Sequence, residues 1–208
     1  MRVVMIDIGL GNLRSVHKAL ETAGSARHVQ VVRSADADVV RSADAVVMPG
    51  QNVFGAFLDG LGAELREALR ERLAAGMPYL GFCLGLHALF EASDESPGTA
   101  GLGWFKGRVQ KLEGSAQIKI PHMGWNTLEL KHGGHPLLSA AGGDGTYVYF
   151  CHSFHVVPAD PELVKATVGH GDNVVTAAVA RDNVFASQFH PEKSQGAGLA
   201  LLTRFLAA

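Results

Sequence analysis

The chain has 208 residues, of which 47% are hydrophobic and 18% charged, and its formal net charge is −2. This length fits a single domain, residues 1–208, because chains usually divide only beyond roughly 250–300 residues. The low charged fraction predicts a large buried core and excludes intrinsic disorder, and the balanced charge argues against binding that depends on nucleic-acid phosphates.

Short apolar segments and few cysteines indicate where the protein would reside. No apolar run in the sequence approaches the roughly 20 residues of a membrane-spanning helix, and the first residues show no signal-peptide cleavage pattern. Cys83 and Cys151 are too few for a disulfide framework. We therefore expect a cytoplasmic protein with both thiols reduced.

The first half of the chain predicts alternating strands and helices. Apolar runs predict strands at residues 2–7, 28–33, 45–48 and 79–82. Apolar side chains at helical spacing predict a helix over residues 13–23 and a long helix over residues 57–73. This alternation favours a parallel sheet with helices on both faces.

The second half consists of short segments separated by turns. Further strands are predicted at residues 104–112, 124–130, 146–151, 163–168, 174–180 and 184–188, and a last helix at residues 198–206. The turns between them indicate hairpins that extend the first sheet or form a side sheet. We predict one α/β domain with a mostly parallel central sheet, helices on both faces and an added antiparallel portion.

A cysteine between two glycines stands where the predicted strand 79–82 ends. The segment Gly81-Phe82-Cys83-Leu84-Gly85 precedes a predicted helix over residues 86–92. The glycines allow a sharp turn from strand to helix, which exposes the cysteine at the carboxyl edge of the sheet. A helix start also favours the thiolate. A lone cysteine is more often a buried structural residue, but the flanking glycines favour a nucleophile.

A histidine and a glutamate follow the predicted strand 184–188. A thiolate that attacks a carbonyl needs a base and a group that orients the base. His190 and Glu192 are two residues apart beyond the strand end, at the rim of the sheet that also carries Cys83. Polar loop residues are usually only solvated. Together with the cysteine turn, however, they predict a Cys83–His190–Glu192 triad.

A third candidate element is the turn Pro49-Gly50-Gln51-Asn52, which ends the predicted strand 45–48. Backbone N–H groups at such a strand end can stabilise an oxyanion, with the N–H of Leu84 as the second donor. On spacing alone, a Pro-Gly pair is far more often only a turn. Both interpretations stay open on the residues alone.

These motifs resemble those of the class I, or triad-type, glutamine amidotransferases. The Cys83 turn and His190-Pro191-Glu192 carry the resemblance to the class. Four segments further resemble the glutaminase subunits of imidazole glycerol phosphate synthases, in the family's order and across nearly the whole chain. They are residues 7–13, 119–126, 149–154 and 189–195.

The resemblance implies a fold and a set of roles. The fold is a flavodoxin-like α/β core, in which Cys83 is the nucleophile, His190 the general base and acid, and Glu192 the residue that orients the histidine. The residues implied around bound glutamine are Gly50, Gln51, Asn52 and Leu84 at the oxyanion site and His87, His152, Ser153 and Phe154 in the substrate pocket.

Two of these positions depart from the family pattern. His87 stands where glutamine is usual, and histidine has a different reach and a pH-dependent charge. Asn52 stands where a second glycine is usual, and asparagine adopts a positive φ only at some cost. The departures motivate a second hypothesis from another class: a scaffold or regulatory subunit with weakened glutaminase activity.

The resemblance also implies a partner, because a glutaminase fold occupies the whole chain and leaves nothing that could use ammonia. The partner would be a (β/α)₈-barrel cyclase that makes imidazole glycerol phosphate and aminoimidazole carboxamide ribotide. The candidate contacts are Asn12, Met123 and Trp125, since tryptophan is frequent among interface hot spots. Packing of Trp125 within its own domain is an equal alternative.

A third hypothesis is the glutaminase of another synthase, against which the motif at residues 119–126 speaks. We expect neither a metal nor a cofactor. The pairs His132/His135 and His152/His155 have metal-like spacings, but no further ligand completes a site.

Overall fold

The strands of the central sheet are short apolar runs that serve two different cores. The structure is a computed structural model that describes residues 1–207. In the first strand, Val4 and Ile6 pack into one core, whereas Val3 and Met5 pack into the other. Because side chains alternate across a strand, burial on both faces requires a continuous apolar run.

The sheets account for most of the predicted strands. Within residues 1–207 the strands are β1 (Arg2–Ile6), β2 (Gln30–Ser34), β3 (Ala45–Met48), β4 (Tyr79–Phe82), β5 (Ala92–Ser93), β6 (Gly107–Lys111), β7 (His122–Thr127), β8 (Glu129–Leu130), β9 (Tyr147–His152), β10 (Phe154–Pro158), β11 (Val164–His170), β12 (Asn173–Arg181) and β13 (Val184–Ser187). An eight-stranded sheet has the order β2-β1-β3-β4-β13-β12-β11-β8. Its first five strands are parallel and the rest antiparallel, which confirms the predicted sheet.

Helices cover both faces of this sheet, as predicted. In the described part of the chain they are α1 (Leu13–Gly24), α2 (Ala37–Arg41), α3 (Phe54–Ala74), α4 (Leu84–His87), α5 (Pro136–Ala141) and α6 (Gln195–Phe205). The first core lies under α2 and α3, and the second lies under α1, α5 and α6. The two cores therefore share one sheet.

Two small sheets stand beside the central one, so the predicted hairpins both extend the main sheet and form side sheets. Strands β10, β6 and β5 form one of them, and β7 pairs with β9 in an antiparallel ribbon. Strand β10 was not predicted. The strand predicted at residues 124–130 is in fact two strands, β7 and β8, which belong to different sheets.

Two predictions were wrong: one helix is shorter than predicted, and one residue interpreted as part of a turn begins a helix. The helix predicted over residues 86–92 ends at His87, because the carbonyls of Ala88 and Phe90 accept hydrogen bonds from Leu102 and Gly103 instead of continuing the helix. Pro136, interpreted as a turn residue, begins α5, whose Leu137 N–H donates to the His135 ring at 3.2 Å. Proline suits the first helical position because its missing N–H would be unpaired there anyway.

Strand order places the candidate site. β3, β4 and β13 are neighbouring parallel strands, so their carboxyl ends meet at one edge of the sheet. Met48 lies beside Gly81, and Phe82 lies beside Ser187. The turns that follow these strands are the three predicted site segments, which therefore converge.

Helix α6 packs closely against the turn that follows β13, and a glycine makes this close approach possible. A Cβ on Gly198 would lie 1.9 Å from the carbonyl oxygen of Pro191, whereas a Cβ on Gly196 meets no described atom within 4 Å. Gly198→Ala is therefore expected to lower the free energy of unfolding by at least about 2 kcal/mol. In the same helix, Gly196→Ala is expected to raise it by up to about 1 kcal/mol. Urea denaturation of both variants checks this, and equal effects would contradict it.

Candidate active site

Cys83 lies in the sharp turn between β4 and α4. Its backbone has φ 51° and ψ −104°, a left-handed conformation that strains any side chain larger than that of glycine. Close packing enforces the turn, because a Cβ on Gly85 would lie 1.8 Å from the Met48 carbonyl oxygen. The Cys83 N–H donates to the Ser187 carbonyl at 2.9 Å. Both neighbouring strands thus hold the cysteine in place.

His190 and Glu192 form a buried pair behind this turn. Nδ1 of His190 and Oε1 of Glu192 are 2.9 Å apart, and the side chains are only 4% and 1% exposed. The backbone N–H of His190 donates to the Tyr149 carbonyl at 2.9 Å, and the Ser194 hydroxyl donates to the His190 carbonyl at 2.7 Å. Because Glu192 accepts a hydrogen bond from Nδ1–H, Nε2 is the ring nitrogen left available to Cys83.

The charge of His190 depends on Cys83. Burial lowers the pKa of His190, but its interactions with Cys83 and with Glu192 outweigh burial and raise the pKa to about 10. Nε2 has no hydrogen-bond partner of ordinary geometry among residues 1–207. Near neutral pH this environment therefore favours the imidazolium form of His190.

A cleft of about 400 Å³ opens in front of Cys83. Its lining residues are Gln51, Asn52, Cys83, Leu84, His87, Glu95, Pro121, Cys151, His152, Ser153, Phe154 and Lys193. The cleft therefore brings together the residues predicted to surround glutamine, with Gly50 buried next to Leu84. Cys151 lies partly buried on β9 and also lines the cleft.

The candidate oxyanion turn is closed in this structure. Leu84 N–H, the predicted donor, points at the carbonyl oxygen of Gly50, with a long N–O distance of 3.4 Å. Asn52 has φ 112°, a value that favours glycine, and its side-chain oxygen accepts from the Val53 N–H at 2.8 Å. A carbonyl oxygen at the Leu84 donor would repel a developing oxyanion, so the turn must rearrange before Leu84 can serve one.

His87 and Gln188 form a buried pair at the floor of the cleft. His87 Nε2 lies 2.8 Å from Gln188 Oε1, and Gln188 Nε2 lies 3.7 Å from Cys83 Sγ. Burial lowers the pKa of His87 to about 4, so the ring is neutral near pH 7. Gln188 was missed from sequence. Its signal was a polar residue at the end of an otherwise apolar strand, directly before Phe189 and His190.

A chain of neutral histidines supports one wall of the cleft. His152 Nδ1 donates to the Phe154 carbonyl at 2.9 Å, and His152 Nε2 lies 2.9 Å from His122 Nδ1. His122 also lies 3.2 Å from the Asn126 amide and stacks on His170, with ring centroids 4.2 Å apart. Burial lowers the pKa of His122 to about 4 and that of His152 well below 6.5.

Glu95 is a further residue that sequence reasoning missed. It lies in a loop far from the motifs along the chain, but its Oε2 accepts the Phe54 N–H at 2.8 Å. The Ser96 hydroxyl accepts the Gly55 N–H at 2.9 Å. These contacts satisfy unpaired donors at the start of α3, directly after the Asn52 turn.

The predicted partner contacts lie outside the cleft. Met123 is 61% and Trp125 44% exposed, and both lie on strand β7. Trp125 packs edge-on against Tyr149, with centroids 6.1 Å apart, so it is neither fully exposed nor buried. Asn12 precedes α1 in the loop whose Gly11 approaches Gln51.

Residues 1–207 contain neither a candidate metal site nor a candidate membrane-spanning helix. No group of three or more histidine, cysteine or carboxylate side chains there could hold a metal ion. No helix in that range is both long and apolar enough to cross a bilayer.

Known proteins resemble this chain in both sequence and structure. The sequence model of the family "Glutamine amidotransferase class-I" matches residues 4–208. Imidazole glycerol phosphate synthase subunit HisH of Synechococcus elongatus is 45% identical over 99% of this chain and 92% of that protein. The protein of the same name from Thermosynechococcus vestitus is 47% identical over 99% of this chain and 96% of that protein.

A solved structure shares the fold. The glutaminase domain of Trypanosoma brucei CTPS with bound acivicin superposes with a TM-score of 0.73, at 16% identity, over 100% of this chain and 94% of that one. Both the fold and the matching family model are those of a class I glutamine amidotransferase. The chain belongs to this class and, within it, to the family of imidazole glycerol phosphate synthase subunit HisH.

The buried histidines predict a pH-dependent stability. Folding lowers the pKa of His87 and of His122 to about 4, so between about pH 6.5 and pH 4 the unfolded chain binds protons that the folded chain does not. The free energy of unfolding should therefore fall as the pH drops through this window, by up to about 1.4 kcal/mol per pH unit for each histidine.

Urea denaturation between pH 4.5 and 8 measures that slope. His122→Asn is expected to reduce it by about one proton, whatever it does to stability at pH 8. His28→Asn is the matched control, because His28 is exposed and asparagine tolerates its left-handed backbone. Equal slopes for His122→Asn and the unaltered chain would contradict the prediction.

Proposed function

We propose that this chain hydrolyses glutamine to glutamate and ammonia as the glutaminase subunit of an imidazole glycerol phosphate synthase. The observation that carries the proposal is Cys83 at the head of a cleft, with the buried His190–Glu192 pair beside it. The names of relatives at 45–47% identity over nearly the full chain support the choice of synthase.

In the proposed reaction, the Cys83 thiolate attacks the side-chain amide carbon of glutamine. The resulting oxyanion is held by backbone N–H groups, and the His190 imidazolium protonates the leaving nitrogen, so that ammonia departs and a γ-glutamyl thioester remains. His190, now neutral, takes a proton from water, and the hydroxide attacks the thioester carbon, which releases glutamate and regenerates the Cys83 thiolate beside the His190 imidazolium. Glu192 keeps the ring in one tautomer through both steps.

The substrate residues follow from the lining of the cleft. We infer that His152, Ser153 and Phe154 hold the backbone of glutamine, because they line the same cleft as Cys83. The Gln51 and Leu84 N–H groups would serve the oxyanion. Because the histidines behind His152 are neutral, this wall can bind glutamine without adding positive charge to the cleft.

The closed oxyanion turn suggests how activity is regulated. The Gly50 carbonyl faces the Leu84 donor, so the resting chain pays for a rearrangement before it can stabilise an oxyanion. Gly11 packs against Gln51, which connects this turn with the loop that carries Asn12. Contact of a partner with that loop is a direct route to the rearrangement.

The partner that we propose is a (β/α)₈-barrel cyclase, which would receive ammonia directly and protect it from protonation in water. The candidate docking surface is the outer face of the β7–β9 ribbon, with Met123, Trp125 and Tyr149 beside one another. We further infer that residues 1–208 form one amidotransferase domain and that the protein acts in the cytoplasm.

A second candidate function, a scaffold or regulatory subunit with weak glutaminase activity, has one observation in its favour. His87, which stands where the family usually has glutamine, lies with its Nε2 2.8 Å from Gln188 Oε1. Only one of its two ring nitrogens is therefore free to bind substrate. Normal glutamine turnover in the complex with the cyclase and its nucleotide ligand would dismiss this alternative. Turnover only with a different synthase would favour the third hypothesis.

Substitutions of the triad test the assignment. Cys83→Ala is expected to abolish glutamate formation in the complex, and Glu192→Gln to lower kcat by about a hundredfold or more, because the ring of His190 loses its orienting acceptor. Cys151→Ala is the matched control, since this second cysteine lines the same cleft without a base. A Cys83→Ala complex that forms glutamate at the unaltered rate would refute the triad.

Partner dependence is a separate expectation. Glutamine turnover by the isolated chain should be at least about tenfold slower than in the complex, which corresponds to a coupling of about 1–3 kcal/mol. Trp125→Ala should raise the cyclase concentration for half-maximal activation by about tenfold or more, as for a hot-spot residue.

Val174→Ala provides the control for that experiment. Val174 is 70% exposed but lies on β12, away from the ribbon, so its truncation should change activation less than twofold. Equal turnover with and without the cyclase, or equal effects of the two truncations, would argue against the proposed surface.

A further inference from the structure

Gln188 is a wholly buried polar side chain beside the candidate nucleophile. The register of β13 on β4 pairs Ser187 with Phe82, so the next residue, Gln188, lies next to Cys83. Its carboxamide has a partner at each end: Nε2 lies 3.7 Å from Cys83 Sγ, and Oε1 lies 2.8 Å from His87 Nε2. A buried amide is costly without hydrogen bonds, so these two contacts fix its position.

The chemistry of its partners determines the orientation of this carboxamide. A thiolate accepts hydrogen bonds and cannot donate them, so the NH₂ group faces the sulfur and the oxygen faces His87. That oxygen needs a donor, and His87 therefore carries its proton on Nε2. Nδ1 of His87, buried and without a hydrogen-bond partner in the described chain, then bears a lone pair and not an orphaned N–H.

We propose that Gln188 is a positioning residue for the nucleophile, and that His87 determines which end of its amide faces the sulfur. The proposal rests on the assignment of Cys83 as the attacking group. The Gln188 N–H stabilises and aims the thiolate before substrate binds. His87 acts only through Gln188, which gives this family departure a role that does not require contact with substrate.

The surrounding charged and titratable groups determine the pH range of a test. Cys83 and Glu192 both act on His190, whereas His152 and His155 lie near His87. Burial lowers the pKa of both His152 and His155, so they stay neutral above about pH 6.5. Between pH 6.5 and 10, therefore, none of His87, His152 and His155 changes its charge next to the carboxamide.

Alkylation of the full chain by iodoacetamide measures the thiolate directly. The rate is followed from pH 6.5 to 10 by the mass of the peptide that contains Cys83, which keeps Cys151 separate. Gln188→Met preserves volume and removes the N–H. We expect its Cys83 to react about three- to tenfold more slowly below the midpoint, with the midpoint raised by about half to one pH unit.

His87→Leu tests the second half of the proposal. It leaves Gln188 in place but frees its carboxamide to turn, so the midpoint should move in the same direction by a smaller amount. The double variant should match Gln188→Met alone, because His87 acts through Gln188. Two independent disturbances of packing would instead add.

Several outcomes would overturn the proposal. They are an unchanged alkylation profile in a folded Gln188→Met chain, additive shifts in the double variant, and, if Gln188→Met does not fold, an unchanged profile in His87→Leu. The test is separable from that of the triad, because alkylation requires no turnover. Failure of the triad appears as glutamate formation by Cys83→Ala, whereas failure of this proposal appears only in the alkylation profiles.

Discussion

The contact on which the site depends is the approach of the Cys83 turn to the end of β3. Gly85 lies so close to the Met48 carbonyl that a single Cβ would overlap it, and this closeness leaves the chain no path except the left-handed conformation of Cys83. The strain is tolerated because backbone hydrogen bonds and two well-packed cores hold the strands on either side. A strained cysteine at the edge of a rigid sheet cannot relax away from the cleft.

Burial has opposite consequences for the histidines around that cysteine. His190 faces a carboxylate and a sulfur, and these raise its pKa although burial opposes them. His87, His122 and His152 face amides, carbonyls and one another, so burial prevails and they stay neutral. The site therefore concentrates one positive charge beside the nucleophile, and the remaining rings serve as hydrogen-bonding groups of fixed tautomer.

Local patterns allowed the parallel sheet, the cysteine turn and the His190–Glu192 pair to be predicted, because continuous apolar runs and flanking glycines are properties of neighbouring residues. Features that depend on contacts distant in sequence were missed. Glu95 reaches Phe54 across 41 positions, and His87 reaches Gln188 across 101. The helix predicted beyond His87 failed for the same reason, since its carbonyls found donors in a later loop. Periodicity carries no information about such competitors.

The ribbon β7–β9 shows how an exposed surface can affect the buried side chains of the candidate triad. Tyr149 contacts Trp125 on the outside with its ring, while its backbone carbonyl accepts the His190 N–H and its N–H donates to the Ser194 hydroxyl at 3.0 Å. The same hydroxyl donates to the His190 carbonyl. A contact that displaced the ribbon would therefore move the backbone of the general base, whereas a contact near Gly11 would move the oxyanion turn. Activation through the turn alone would leave the geometry of His190 unchanged, so the two routes differ in whether a partner moves the candidate general base or the candidate oxyanion donors.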